Sequence, residues 1–392
     1  MFDSLNVLTC TTRSDRDGAR LSRATLPDSC GTVARYRALH RARQLSIATA
    51  TQVAEDRGDG RLVALDEGGR FLGWAAVAPA MSRKSEAPLP SRLIPSARTD
   101  PSNITKDFVN HSDLLAKAPS LAAGMAAAEH NPDTQLSQTR HRAALVASWQ
   151  IAPGSTVLEL GCGQGDMTAV LAEAVGPKGR VVAVDVAAPS YGAPVTLGES
   201  AARLAAGPLG PRIDFRFGTD VLDPSVDFPE STFDHVVLTH CSWYFTSLGQ
   251  LRDTLARVRP WARRLWFTEW DLTPTSDDQL AHLLAVLIQG QTEAAGSHGQ
   301  GNVRTPFSRE ALLRLLPEAD WTADDSEPVD TEELQDGDWE IAACLDLVGS
   351  DERLAALPEP MRQLVLSQAD VLRAIAKPRG NRALAAYSVT AR

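Results

Sequence analysis

Basic charge is in short supply. The 392 residues carry 39 Lys and Arg against 49 Asp and Glu, a formal net charge of −10. A surface of that sign repels nucleic-acid backbones and anionic membranes alike. No basic stripe interleaved with aromatic residues offsets it, so neither DNA nor RNA is expected as a partner. Cysteine is sparse too: Cys10, Cys30, Cys162, Cys241 and Cys344 are scattered, odd in number and without a CxxC pair. That pattern argues against a disulfide framework and a zinc site, and no carboxylate and histidine set stands out for another metal. No apolar run approaches the roughly 20 residues of a membrane span, and the N-terminus lacks the apolar core of a secretory signal. Arg and Ser crowd the first 45 residues as in a transit peptide, but Asp3, Asp15, Asp17 and Asp28 count against one. The expectation is a cytoplasmic, reduced protein, monomer or homodimer, with no metal, membrane or nucleic-acid partner.

What the chain does contain is residues 157–185, VLELGCGQGDMTAVLAEAVGPKGRVVAVD. Two short apolar runs, 157–160 and 181–184, flank an amphipathic helix over 166–175, the pattern of a βαβ unit with parallel, buried strands. Gly161, Gly163 and Gly165 at alternate positions let the backbone turn and leave room for a ligand against the bare chain. Asp185, closing the second strand, is placed to accept hydrogen bonds from both hydroxyls of a ribose. A dinucleotide fingerprint needs G-x-G-x-x-G, yet counted from Gly161 the third glycine falls on Asp166. An anionic side chain there repels a pyrophosphate and argues against NAD and FAD.

The remaining pattern, E-L-G-C-G-x-G with Glu159 ahead of the turn and an acid after the next strand, resembles motifs I and II of class I S-adenosylmethionine (SAM) dependent methyltransferases. The resemblance implies an α/β, Rossmann-like fold: a seven-stranded, mostly parallel sheet with helices on both faces, the last strand antiparallel. It implies SAM as cofactor, with Glu159 and Gly161 facing the methionine part, Cys162, Gly163 and Gly165 in the turn, and Asp185 with Val186 at the ribose. Asp220, with Val221, inherits the hydrogen bond to the adenine amino group, and His240 borders the cofactor at the end of the fourth strand. Tyr191 either lies against the adenine or fills a turn.

Along the chain, residues 1–103 form an extension expected to be partly disordered or loosely docked, with a β-hairpin over 61–77 and a Pro/Ser linker over 79–103. Residues 104–392 form the methyltransferase domain: a helical cap over 104–150, the core over 151–330, and a last strand over 383–390. A helical stretch, 338–377, follows the sixth strand and is expected to roof the acceptor pocket. Further strands are expected over 213–217, 233–239, 264–270 and 321–329, and His141, on the cap, reads as a surface residue.

Methyl transfer is an in-line displacement, so the protein must align the nucleophile within about 3–3.5 Å of the methyl carbon and exclude water. A base helps only where the acceptor must lose a proton. Candidates at the carboxyl edge of the sheet are His240 first, then Tyr244, Glu269, Asp271 and, on a loop, His298; histidines titrate near neutrality. His240 equally reads as a hydrogen-bonded structural residue beneath the cofactor. Trp243, Tyr244, Phe245 and Trp270 are expected to wall a pocket for a flat or hydrophobic small molecule. The fourth strand is followed by His240, Cys241 and Ser242, not by N/D-P-P-Y/F, which disfavours nucleobase amines. The stretch 137–392 most resembles the UbiE and small-molecule branch, including enzymes of secondary metabolism. Two other readings stay open: a methyltransferase-like pericyclase or cyclase that uses SAM non-reactively, and a regulatory SAM-binding protein that recruits a partner through residues 1–103.

Overall fold

The computed structural model describes residues 7–9, 52–55, 61–65, 71–76, 111–298 and 301–392. The chain divides into two compact units, Met1–Arg98 and Thr99–Arg392. In the first, β1 (Val7–Thr9), β2 (Gln52–Glu55), β3 (Arg61–Leu65) and β4 (Phe71–Ala76) form an antiparallel sheet in that order. The expected hairpin is the β3–β4 pair, with Arg61 opposite Ala76. The expected disorder or loose docking of the extension and its linker concerns residues outside those described.

The second unit opens with α1 (His111–Gly124) and α2 (Pro132–Trp149), the latter capped by Asn131, whose side chain accepts from Thr134 N, with Pro132 at its first position. Then follow β5 (Thr156–Leu160), α3 (Asp166–Val175), β6 (Arg180–Asp185), α4 (Leu197–Ala206), β7 (Ile213–Phe217), β8 (Phe233–Thr239), α5 (Leu248–Val258) and β9 (Ala262–Trp270). After β9 come α6 (Leu280–Ala294), α7 (Arg309–Leu315), β10 (Ala323–Val329), α8 (Asp336–Val348), α9 (Asp351–Ala355), α10 (Glu359–Arg379) and β11 (Ala386–Ala391). The seven strands of this unit run in the order β10-β11-β9-β8-β5-β6-β7. β11 is antiparallel to both neighbours, and the pairings of β5 to β9 are parallel.

The central strands are continuous apolar runs because both faces are covered. Their residues alternate between two cores: Leu158, Leu160, Val182, Val184, Val236 and Leu238 point to one, and Val157, Val181, Ala183 and Val237 to the other. The first core takes Leu251, Leu255 and Leu312 from α5 and α7; the second takes Leu145, Val146, Val170 and Leu171 from α2 and α3. Each such aliphatic side chain contributes about 1.5–3 kcal/mol by burial. β10 departs from this pattern. Its sequence ADDSEPV is mostly exposed because it is the edge strand, where Pro328 removes no donor that a further strand needs.

A third apolar cluster joins Ala281, Ala285 and Ile288 of α6 to Ile341, Cys344 and Val348 of α8 and to Val365, Ala369 and Leu372 of α10. The stretch 338–377 therefore packs on α6, the helix that follows the carboxyl end of β9, and not on the back of the sheet.

Candidate functional site

Parallel strands β5, β6 and β8 end together, and the loops they release enclose a cavity of about 490 Å³. Ligand sites in open α/β sheets form at this edge. Glu159, Gly161, Cys162, Gly163, Asp185, Val186, Asp220, Val221, His240 and Tyr244 all line it. A larger groove, about 1240 Å³, lies between α2 and strands β10 and β11 and holds none of the motif residues.

The turn after β5 is built for close approach. Gly161 has φ +71°, and a Cβ there would stand 2.7 Å from Cys241 Sγ. Gly163 (φ +51°) faces open space. Gly165 does not line the cavity; it caps α3 at φ +87°, and a Cβ would meet Leu204 at 2.8 Å. Asp185 holds the turn in place: one oxygen accepts from Gly163 N at 2.8 Å, the other from Ala187 N at 2.9 Å. Asp220 accepts from Leu222 N at 2.9 Å, closing its own turn at the cavity wall. Val186, between these acids, is an exposed apolar surface (71 %), and Tyr191 is half exposed beside it.

Glu159 is buried, and its carboxylate accepts from Thr168 Oγ1 at 2.6 Å. Loss of hydration raises its pKa to about 8; the Thr168 bond and Arg142 oppose the rise, and Asp166 and Asp185 add to it. At neutral pH this carboxyl keeps its proton unless a cation lies against it. A bare glycine turn, three acids and an exposed apolar residue form a donor set that fits SAM, which carries an ammonium, a sulfonium, a ribose and a flat base.

The expected base residues separate. His240 ends β8 at φ +49°, with its N–H donating to Thr268 O at 2.9 Å. Its ring packs 4.6 Å from that of Trp270, its Nε2 lies 3.0 Å from His141 Nε2, and its Nδ1 is buried without a hydrogen-bond partner, 3.7 Å from Glu269 Oε1. His141 is therefore no surface residue: it is buried, and its pKa falls well below the usual histidine value through burial, then through His240 and Arg142, against a main-chain hydrogen bond at Asp330. The two imidazoles share one hydrogen bond through their Nε2 atoms.

Glu269 is committed to the turn after β8, accepting from Ser242 N (3.0 Å) and Ser242 Oγ (2.6 Å), as well as from Trp270 N. Asp271 accepts from Thr273 N at 3.0 Å and lies 3.6 Å from Arg309. Neither lines the cavity, and His298 is an exposed partner of Glu293 away from it. Tyr244, at the cavity mouth, has its phenol pushed upward by the low-polarity surroundings, then by Tyr191 and Glu340. Burial also pushes the thiols of Cys162 and Cys241 up. Tyr244 and Phe245 line the cavity as expected; Trp243 and Trp270 instead belong to the core beneath it. No side chain of 338–377 lines the cavity. Among the described residues no group of three or more His, Cys, Asp or Glu is arranged to hold a metal.

Two cationic wall residues were missed. Arg142 of α2 bonds Gln138 O and Oε1 and stands near Glu159. Arg304 reaches the cavity from the segment between α6 and α7. A lone Arg in GNVRTPF gives no sequence signal of its own.

The seven-stranded order, the glycine turn and the carboxylates at the strand ends define the class I methyltransferase architecture. The family described as "Methyltransferase domain" matches residues 157–264, and that of protein-L-isoaspartate(D-aspartate) O-methyltransferase matches 120–190. A solved structure, a cyclopropane-fatty-acyl-phospholipid synthase-like protein from Lactobacillus casei, is 33 % identical with a TM-score of 0.63, covering 70 % of this chain and 98 % of that one. Methyltransferase phomM' of Diaporthe leptostromiformis is 32 % identical over 160 residues, 36 % of this chain and 41 % of that protein. Nocamycin O-methyltransferase of Saccharothrix syringae is 37 % identical over 106 residues, 27 % and 34 % of the two chains. The chain thus spans well under half the length of these two curated relatives. It belongs to the SAM-dependent methyltransferase family. Its cofactor is S-adenosylmethionine.

Proposed function

We propose that this protein transfers a methyl group from SAM to a small organic acceptor of secondary metabolism. The observation that carries the reading is the single cavity that joins carboxylates at the ends of β5 and β6 to the His240–Phe245 segment after β8. Glu159 and Arg142 would hold the charged amino-acid part of the cofactor, Asp185 its ribose, and Val186, Asp220 and Val221 its base. When bound, the cofactor supplies an electrophilic methyl carbon.

The chain's own contribution is placement. Tyr244 and Phe245 present aromatic surface that orients a flat acceptor and keeps water from the reacting atoms. Where the acceptor carries a proton that must leave, His240, which lines the cavity, is the residue to take it, with His141 holding its ring through the Nε2 contact. Tyr244 serves as a neutral phenol, a hydrogen-bond donor or wall. Helices α8 to α10 pack on α6 and contribute no side chain to the cavity wall.

Release of S-adenosylhomocysteine from SAM in the presence of an acceptor panel tests the reading. Turnover with at least one acceptor is expected. Tight SAM binding and product formation without S-adenosylhomocysteine would instead establish a cyclase.

A further inference from the structure

We propose that Arg304 is the binding residue for an anionic group on the acceptor, a carboxylate or an ionised hydroxyl next to the methylated position. The inference rests on the methyl-transfer reading above and adds the acceptor's chemical class.

Arg304 is held firmly, yet among the described residues its side chain has no partner. Its N–H and that of Thr305 both donate to Trp243 O, at 2.9 and 3.0 Å, so the segment is pinned to the turn after β8. Val303 and Phe307 on either side are buried in the core, and Pro306 fills the space over Gly290, where a Cβ would lie 2.5 Å from the proline ring. The backbone beneath the side chain is thus fixed from three directions. The guanidinium nonetheless finds no hydrogen bond or ion pair among the described residues, and its Nε is buried without a partner. A buried charged donor left unsatisfied is costly, and a ligand that completes it offsets that cost. Planar guanidinium matches a carboxylate with two parallel hydrogen bonds.

The cofactor has a carboxylate of its own, and the cavity has a second arginine. Arg142 acts on Glu159 at the β5 end, where the amino-acid part of the cofactor belongs, whereas Arg304 is tied to Trp243, next to Tyr244 and Phe245 on the acceptor side. Two guanidiniums at separate places thus suit two anions, one from the cofactor and one from the acceptor. The flanking aromatic rings select a flat acid.

The test uses the full chain saturated with S-adenosylhomocysteine, probed with hydroxylated benzoates and naphthoates, each beside its primary amide. Ligand-observed NMR gives the affinities, and calorimetry gives S-adenosylhomocysteine binding for each variant. The wild-type protein should bind at least one acid about tenfold more tightly than its amide. Arg304→Gln should abolish that preference with S-adenosylhomocysteine affinity kept within about twofold, and Arg304→Lys should restore part of it. Equal binding of acid and amide, or binding of neither, overturns the proposal, as does an Arg304→Gln variant that loses cofactor affinity and keeps the acid preference. If the wild-type protein does not bind S-adenosylhomocysteine, it is the methyl-transfer reading that fails.

Discussion

Glu159 shows how one buried side chain couples cofactor binding to pH. Its free pKa, about 8, lies above its ordinary value, so it holds a proton at neutrality and must release it to pair with a cation. SAM affinity should therefore rise with pH and level off above about 8, and calorimetry in buffers of different ionisation enthalpy should detect proton release. Glu159→Gln should flatten that dependence and weaken SAM binding by roughly tenfold or more. A pH-independent wild-type affinity would remove Glu159 from the cationic end of the cofactor. His240 makes a second residue-scale case. His240→Asn should lower turnover about 100-fold with cofactor affinity nearly unchanged, provided the acceptor must lose a proton. His141→Asn should lower it less, since His141 only holds the ring. An unaltered rate in His240→Asn would make that histidine structural.

At the scale of elements, the turn after β5 carries the site, and Gly161 is its tightest point. Gly161→Ala puts a Cβ against Cys241 Sγ and forces an L-residue to φ +71°. It should cost roughly 1–3 kcal/mol of stability, read from a urea midpoint, and should lower SAM affinity as well. The βαβ unit was legible because strands buried on both faces must be continuously apolar and the glycine pattern is local. The cap helix α2 was legible as a helix, but the burial of its polar residues was not. It buries Gln135, Ser137 and Thr139 as well as His141, which read as a surface residue. They are buried because distant residues satisfy them: Gln135 Nε2 bonds Asp166 at 2.6 Å, and His141 meets His240. β10, expected over 321–329, runs over Ala323–Val329, and its place at the sheet edge explains its charges. Trp243, in the turn Ser242–Tyr244, and Trp270, at the end of β9, were expected at the cavity wall but turn into the core, whereas Tyr244 and Phe245 line the cavity.

For the whole molecule, the division at Arg98 predicts that the fold and the cofactor site belong to the second unit. A chain beginning at Thr99 should bind SAM with the affinity of the full protein and unfold in one transition; loss of binding would assign the first unit a part in the site. No helix among the described residues is long and apolar enough to cross a membrane. The most direct measurement is calorimetric titration of the full protein and of Asp185→Ala with S-adenosylhomocysteine and with NAD. The account predicts one S-adenosylhomocysteine per chain, no NAD binding, and affinity roughly 10- to 150-fold weaker in the variant, which loses charge-assisted hydrogen bonds. NAD binding, or an Asp185→Ala variant as tight as the wild type, would contradict the placement of the cofactor in this cavity.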